Sequence, residues 1–134
     1  MENRIILKTG LRSEEREMVN DENTAQAWGS GGLPVYATPA MVALMEKAAA
    51  AAVAEELPKG FSTVGTELTI KHLAATPPGM EVRAAAELTE AEGRRLLFKV
   101  EAFDEAGKIG EGVHSRFIVE NERFVQKAEA KKGI

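Results

Sequence analysis

The 134-residue chain has no cysteine. Disulfides and thiolate metal sites are therefore excluded, and the redox compartment is left open. A spanning helix needs ~18 consecutive apolar residues, and no stretch supplies them. The N-terminal MENRIILKTG likewise lacks the apolar centre of a signal peptide. A cytoplasmic protein with no membrane partner is the expectation. An excess of positive charge is missing too: 17 Lys and Arg stand against 21 Asp and Glu, a net charge of −4. That argues against a nucleic-acid partner. What is present, 44% hydrophobic and 28% charged residues, is an ordinary globular composition. The length suits one domain over residues 1–134, with a charged tail from about residue 122.

The rest of the chain is organised around YATPAMVALMEKAAAAAVAEE, Tyr36 to Glu56. Thr38-Pro39 reads as a helix start, with threonine as the cap and proline in the first helical position. Between Ala40 and Ala54 only Glu46 and Lys47 are not apolar. A helix apolar around most of its circumference must be covered on most sides. The stretch is therefore expected to be a buried central helix carrying a sequestered carboxylate, Glu46.

In chain order, residues 4–8 read as a short strand or arm, Leu11 to Glu17 as a charged connection, and Glu17 to Asn23 as a weak first strand. Thr24 to Ala27 forms a helical turn. The loop Gly29-Ser30-Gly31-Gly32 precedes the helix without the preceding strand and following lysine of a phosphate-binding P-loop. After Leu57-Pro58-Lys59-Gly60 the period changes to two. Val64, Thr66, Leu68, Ile70 and His72 fall on one strand face, and Gly65, Glu67, Thr69 and Lys71 on the other. A turn at 75–79 leads to Met80, Val82, Ala84, Ala86 and Leu88, then to Leu96, Phe98, Val100 and Ala102, then to a last strand over Ile109 to Val119. These three form an antiparallel meander with one buried face. An α+β architecture follows, with the sheet curled around the helix. One sheet cannot cover every side of such a helix, so an isologous homodimer is expected.

Three residues could carry chemistry. Glu46 is the buried carboxylate, His72 lies in phase with the apolar strand face, and Thr38 stands at the helix mouth. A desolvated carboxylate gains basicity, an imidazole moves protons near neutral pH, and a hydroxyl attacks or aligns a carbonyl. Singly, each has a plainer reading: Glu46 as the edge of a wet stripe, His72 as structural, Thr38 as a cap. His114 and Arg116 share a strand face opposite Val113 and Phe117, which assigns them to solvent or an interface. Thr38 and Glu46 are eight residues apart, about 12 Å along a helix. Substrate or water must lie between them, or a partner chain must supply one of them.

The segments ATPAMVALME, VGTELTIKHLAATPPG and AELTEAEGRRLLFKVEAFDEAGKIGEGVHSRF resemble the fluoroacetyl-CoA thioesterase-like family of the hot-dog-fold superfamily. The resemblance runs from about Asn23 to Phe117. It implies a long helix wrapped by an antiparallel sheet, a dimer with a continuous sheet, and hydrolysis of acyl-CoA thioesters without a cofactor or metal, CoA being part of the substrate. It also implies Thr38, Glu46 and His72 as catalytic groups and Gly65 as the glycine shaping the acyl pocket. Val35, Tyr36 and Arg116 are read with Gly65 as substrate-binding positions, and Arg116, Lys71 or the tail lysines as contacts for the CoA phosphates. Fluoroacetyl-specific members carry an aromatic lid ahead of the helix. This chain has Gly31-Gly32-Leu33-Pro34-Val35 there, which points to a short or medium acyl group. The competing reading is a non-catalytic module binding CoA, an acyl group or another small ligand on the same fold. A dehydratase or hydratase is disfavoured by the absence of that branch's short histidine-containing loop.

Overall fold

Alternation of apolar and polar side chains decides the sheet, and the alanine-rich run decides what lies on it. The structure is a computed structural model that describes residues 5–133. Its elements are β1 (Arg12–Met18), α1 (Ala25–Trp28), α2 (Thr38–Ala54), β2 (Phe61–His72), β3 (Glu81–Glu92), β4 (Arg95–Phe103), β5 (Lys108–Glu120) and α3 (Asn121–Glu129). A short 3-10 turn at Ala130–Gly133 ends them.

The strands form one antiparallel sheet in the order β1-β3-β4-β5-β2. The meander β3-β4-β5 is as expected, and its inward residues Val82, Ala84, Ala86, Leu88, Leu96, Phe98, Val100 and Ala102 are buried. Each large side chain among them contributes about 1.5–3 kcal/mol by leaving water. The segment 75–79 is not a hairpin turn. β2 pairs with β5 at one edge while β3 lies three places away, so this connection carries the chain across the sheet.

α2 lies on the concave side, packed chiefly against β1 and β3. Ala40, Met41, Leu44, Met45, Ala48, Ala49 and Val53 are buried. This is the α+β hot-dog arrangement, a curled antiparallel sheet with a central helix. The helix is not covered all round in one chain: Pro39, Ala43, Lys47, Ala51 and Ala54 form an exposed stripe.

Several expectations are corrected. The first strand is Arg12–Met18, mostly in the segment Leu11 to Glu17 read as a charged connection; of the stretch Glu17 to Asn23 read as a strand only Glu17 and Met18 belong to it, and residues 19–23 contain none. Its charges do not oppose pairing because each face finds partners: Arg16 reaches Glu14 and Glu81 at the surface, and the half-buried Glu15 and Glu17 meet Lys47 and the Tyr36 hydroxyl. The proposed strand or arm over 4–8 falls partly outside the described residues, and Ile5 to Lys8 have no regular structure. α1 and its Thr24 cap agree with the expected helical turn. The charged tail forms the helix α3, which buries none of its residues.

Candidate active site

Two clusters of polar side chains lie along α2. The first is at its N-terminal mouth. Ala37, not Thr38, is the N-cap residue, and no side chain caps the helix. Thr38 is the first helical residue, so its hydroxyl is free to meet the strand opposite. Its Oγ1 is 2.7 Å from His72 Nδ1 at the end of β2. His72 Nε2 is buried without a hydrogen-bond partner. Burial holds the imidazole below its ordinary pKa, opposed by the nearby Ala74 backbone. The ring is thereby kept neutral and able to accept a proton near neutral pH.

A cavity of about 310 Å³ opens beside this pair, lined by Ser30, Val35, Tyr36, Thr38, His72 and Ala74 among others. The glycine-containing loop before α2 forms part of its wall. It is folded back onto α1, with Ala25 N donating to Val35 O at 2.7 Å and Gln26 N to Leu33 O at 3.2 Å. Tyr36 is buried, and its hydroxyl donates to Glu17. Burial first, then that carboxylate, raises the phenol pKa well above its normal range. Tyr36 is therefore a neutral wall of the cavity.

The second cluster lies two turns further along the helix. Glu46 Oε2 is 3.9 Å from Arg116 Nη1, and the Glu46 side chain is 43% exposed in the single chain. The expectation of a sequestered carboxylate is thus corrected: Glu46 borders the exposed stripe of α2. Arg116 is buried, not solvated. Its Nε donates to Thr63 Oγ1 at 2.8 Å and its Nη2 to the Thr63 carbonyl at 2.9 Å. Burial lowers the guanidinium pKa, opposed by Glu46. So enclosed, Arg116 has no free face for a CoA phosphate. His114 is 1% exposed. Its Nδ1 lies 2.8 Å from the Glu67 carbonyl and its Nε2 3.1 Å from Arg116 Nη1.

Strict alternation along β2 misplaces this cluster. A bulge between Gly65 and Glu67 inserts an extra residue opposite β5 and reverses the phase of the strand. Gly65 therefore faces α2 on the same side as Leu68, Ile70 and His72, instead of the opposite side. A Cβ on Gly65 would come within 2.7 Å of Glu46 Oε2 and 3.2 Å of His114 Cε1, so only glycine admits the carboxylate here. On β5 the partners of Gly65 and Leu68 are Arg116 and His114. Both point inward while Val113 and Phe117 are exposed, the reverse of the sequence expectation. Histidine and arginine at inward positions beside inward glycines were the available signal.

The profile of the fluoroacetyl-CoA-specific thioesterase (FlK) family matches residues 19–122. The chain belongs to that family. A fluoroacetyl-CoA thioesterase of Streptantibioticus cattleyicolor is 44% identical over 97 residues, covering 72% of this chain and 70% of that protein. A crystal structure of the fluoroacetyl-CoA thioesterase FlK superposes with a TM-score of 0.86 at 37% identity, over 93% of this chain and 97% of that one. FlK has also been solved as a threonine-to-serine variant in complex with acetyl-CoA, with a TM-score of 0.88 at 35% identity over 93% and 98% of the two chains. A thioesterase superfamily member from Thermus thermophilus gives a TM-score of 0.87 at 31% identity, over 94% and 93% of the two chains. The chain is therefore a thioester hydrolase of the acyl-CoA thioesterase type. Among the described residues no helix is long and apolar enough to cross a membrane, and no three His, Asp or Glu side chains converge as ion ligands.

Proposed function

We propose that this thioesterase hydrolyses a short or medium acyl-CoA to the free acid and CoA, with Thr38, Glu46 and His72 as its catalytic groups. The observation that carries the reading is the 2.7 Å contact of Thr38 Oγ1 with His72 Nδ1 on the wall of a cavity of about 310 Å³. That volume lies at the small end for ligand pockets, in keeping with a small acyl group. The segment Gly31 to Val35 holds no aromatic side chain to narrow it.

The thioester carbonyl lies at the mouth of α2, where backbone N–H groups of the first turn carry partial positive charge and steady the developing oxyanion. Thr38 attacks the carbonyl while His72 Nδ1 accepts its proton, so that an acyl ester forms on Thr38 Oγ1 as the C–S bond breaks. Protonated His72 then returns that proton to the departing CoA sulfur. Glu46 takes a proton from the water that cleaves the Thr38 ester and passes it back to Thr38 Oγ1 as the free acid leaves. In support, the threonine-to-serine FlK variant was solved with acetyl-CoA.

Glu46 is about 12 Å from Thr38 along its own helix. We assign the meeting of these groups to a homodimer. β2 is a free sheet edge, and Glu46, which borders the exposed stripe of α2, lies against Gly65 of that strand. A two-fold axis there pairs the edges and covers the stripe, bringing Glu46 of one protomer to the Thr38–His72 pair of the other. The protein acts on a soluble substrate in the cytoplasm.

The test is a panel of acyl-CoAs assayed by free-thiol release, with wild type against Glu46→Gln and His72→Ala. Turnover by wild type, lost in both folded variants, is expected. Wild type that binds CoA yet releases no thiol from any acyl chain would establish a binding module instead. Mixing the two inactive variants should recover about a quarter of wild-type activity, because one site in each mixed dimer is intact. No recovery after verified subunit exchange would place all three groups in one protomer.

A further inference from the structure

His114 is a buried titratable side chain to which the proposed mechanism gives no step. It is 1% exposed, between the ring of Phe98 (centroids 6.4 Å apart) and the guanidinium of Arg116. Neutral imidazole has one donor and one acceptor nitrogen, and here each has a single fitting neighbour. The Glu67 carbonyl can only accept, so Nδ1 carries the hydrogen. Arg116 Nη1 can only donate, so Nε2 carries the lone pair. One tautomer is thus selected from both sides.

Those two bonds reach the two features that lie nearest Glu46. Glu67 belongs to the bulge that turns Gly65 toward the helix, and Gly65 is the residue that leaves room for the carboxylate. Arg116 is held by Thr63 through Nε and Nη2, which leaves Nη1 as the nitrogen shared between His114 and Glu46. One Nη1 hydrogen serves His114 Nε2 at 3.1 Å, and Glu46 Oε2 lies 3.9 Å from the same nitrogen.

We infer that His114 is a positioning residue for the thioesterase reaction: as a neutral Nδ1–H imidazole it clamps Arg116 Nη1 and the β2 bulge, and so fixes the direction from which Glu46 acts. The inference rests on the proposed role of Glu46. A proton on Nε2 would set an N–H against the Arg116 N–H and break the clamp. Arg116 on β5 and Glu46 on α2 are the charged groups facing the ring, and Phe98 on β4 adds no charge. Burial and Arg116 hold His114 below its ordinary pKa, opposed by the Glu67 carbonyl and Glu46, so the clamp persists at neutral pH.

The test compares two substitutions with opposite halves of the imidazole. Glutamine places an oxygen near Nε2 and keeps the acceptor for Arg116; asparagine places an amide near Nδ1 and keeps only the bulge contact. With the best acyl-CoA of the panel, His114→Asn is expected to lose about 10- to 100-fold in kcat at nearly unchanged KM. His114→Gln should stay within about threefold of wild type. The acid limb of log kcat/KM should be shallower by one unit of slope in His114→Gln than in wild type, because one of two histidines that must be neutral is gone. Equal losses in both variants with an unchanged acid limb would reduce His114 to packing and overturn the inference. Activity near wild type in both would do the same. Wild type needs no variant for a further check. The chain has two histidines, and nitrogen-resolved NMR at pH 7 should show His114 as the neutral Nδ1–H form. A charged ring or the Nε2–H form overturns the clamp even if turnover is normal. An inactive wild type overturns the assignment of Glu46, and with it the role of His114, whereas unchanged His114 variants of an active enzyme overturn that role alone.

Discussion

The two ends of the candidate site are built on opposite plans. At the mouth of α2, Thr38 and His72 meet beside a cavity, with His72 Nε2 left without a partner. Around Glu46, the side chains of Arg116 and His114 are enclosed and bonded on several sides, while Glu46 alone keeps contact with solvent. An unsatisfied buried nitrogen is costly in a resting protein and useful where a ligand must be met. A satisfied network holds a charge in place. The mouth thus leaves a buried nitrogen open beside a cavity, and the inner cluster encloses a guanidinium and an imidazole next to a carboxylate that stays half exposed.

The largest effect should separate the clusters by function. Glu46→Gln and His72→Ala should each lower kcat by roughly 10²–10⁴-fold with little change in melting temperature. A large stability loss in either, at preserved turnover, would reverse the assignment of the two plans. Next, Arg116→Met should cost about 3 kcal/mol in a denaturant titration, because Thr63 and His114 lose a charged partner in a buried place. A loss below about 1 kcal/mol would mean that the network is not a scaffold. Gly65→Ala probes the boundary between them. The new methyl displaces the flexible end of Glu46, so kcat should fall on the order of 10-fold while the fold survives.

Acidification sharpens the same contrast with smaller amplitude. Both histidines have folded pKa values below their ordinary value, so the unfolded chain binds protons first. Stability is therefore full above about pH 6.5 and declines as the pH falls through and below it. His72→Gln and His114→Gln should each flatten that decline in thermal melts between pH 7 and 5. A melting temperature independent of pH over that range would contradict the neutral buried rings. The smallest effect belongs to the tail. Truncation after Glu122 removes a helix with no buried residue and should change stability by less than about 0.5 kcal/mol and leave kcat/KM unchanged.

Much of this architecture was legible along the chain. The apolar run after Thr38-Pro39 identified the central helix, and strict alternation identified the inward faces of β3 and β4, because those strands keep one phase over their buried lengths. Thr38 and His72 were singled out by position alone, and the structure brings them together. β1 was missed because five of its seven residues are charged, on both faces of the strand, and its pairing with β3 is non-local. Gly65 was assigned to the wrong face because a bulge adds one residue to the count, a feature of the backbone for which periodicity has no symbol. Arg116 and His114 were sent outward because a charged residue is assigned to water unless its partners are known, and Thr63, Glu46 and the Glu67 carbonyl all come from distant elements.

By itself, then, the sequence determined which segments become helix and meander, since those depend on local period and composition, and it supplied the hydroxyl, carboxylate and imidazole. The tertiary structure alone decided that β2 crosses to the far edge, that a bulge turns Gly65 inward, and that Arg116 and His114 are enclosed beside Glu46. These are relations between residues far apart in the chain. They are set by which backbone groups can pair and which buried charges can be satisfied, and only the assembled sheet resolves them.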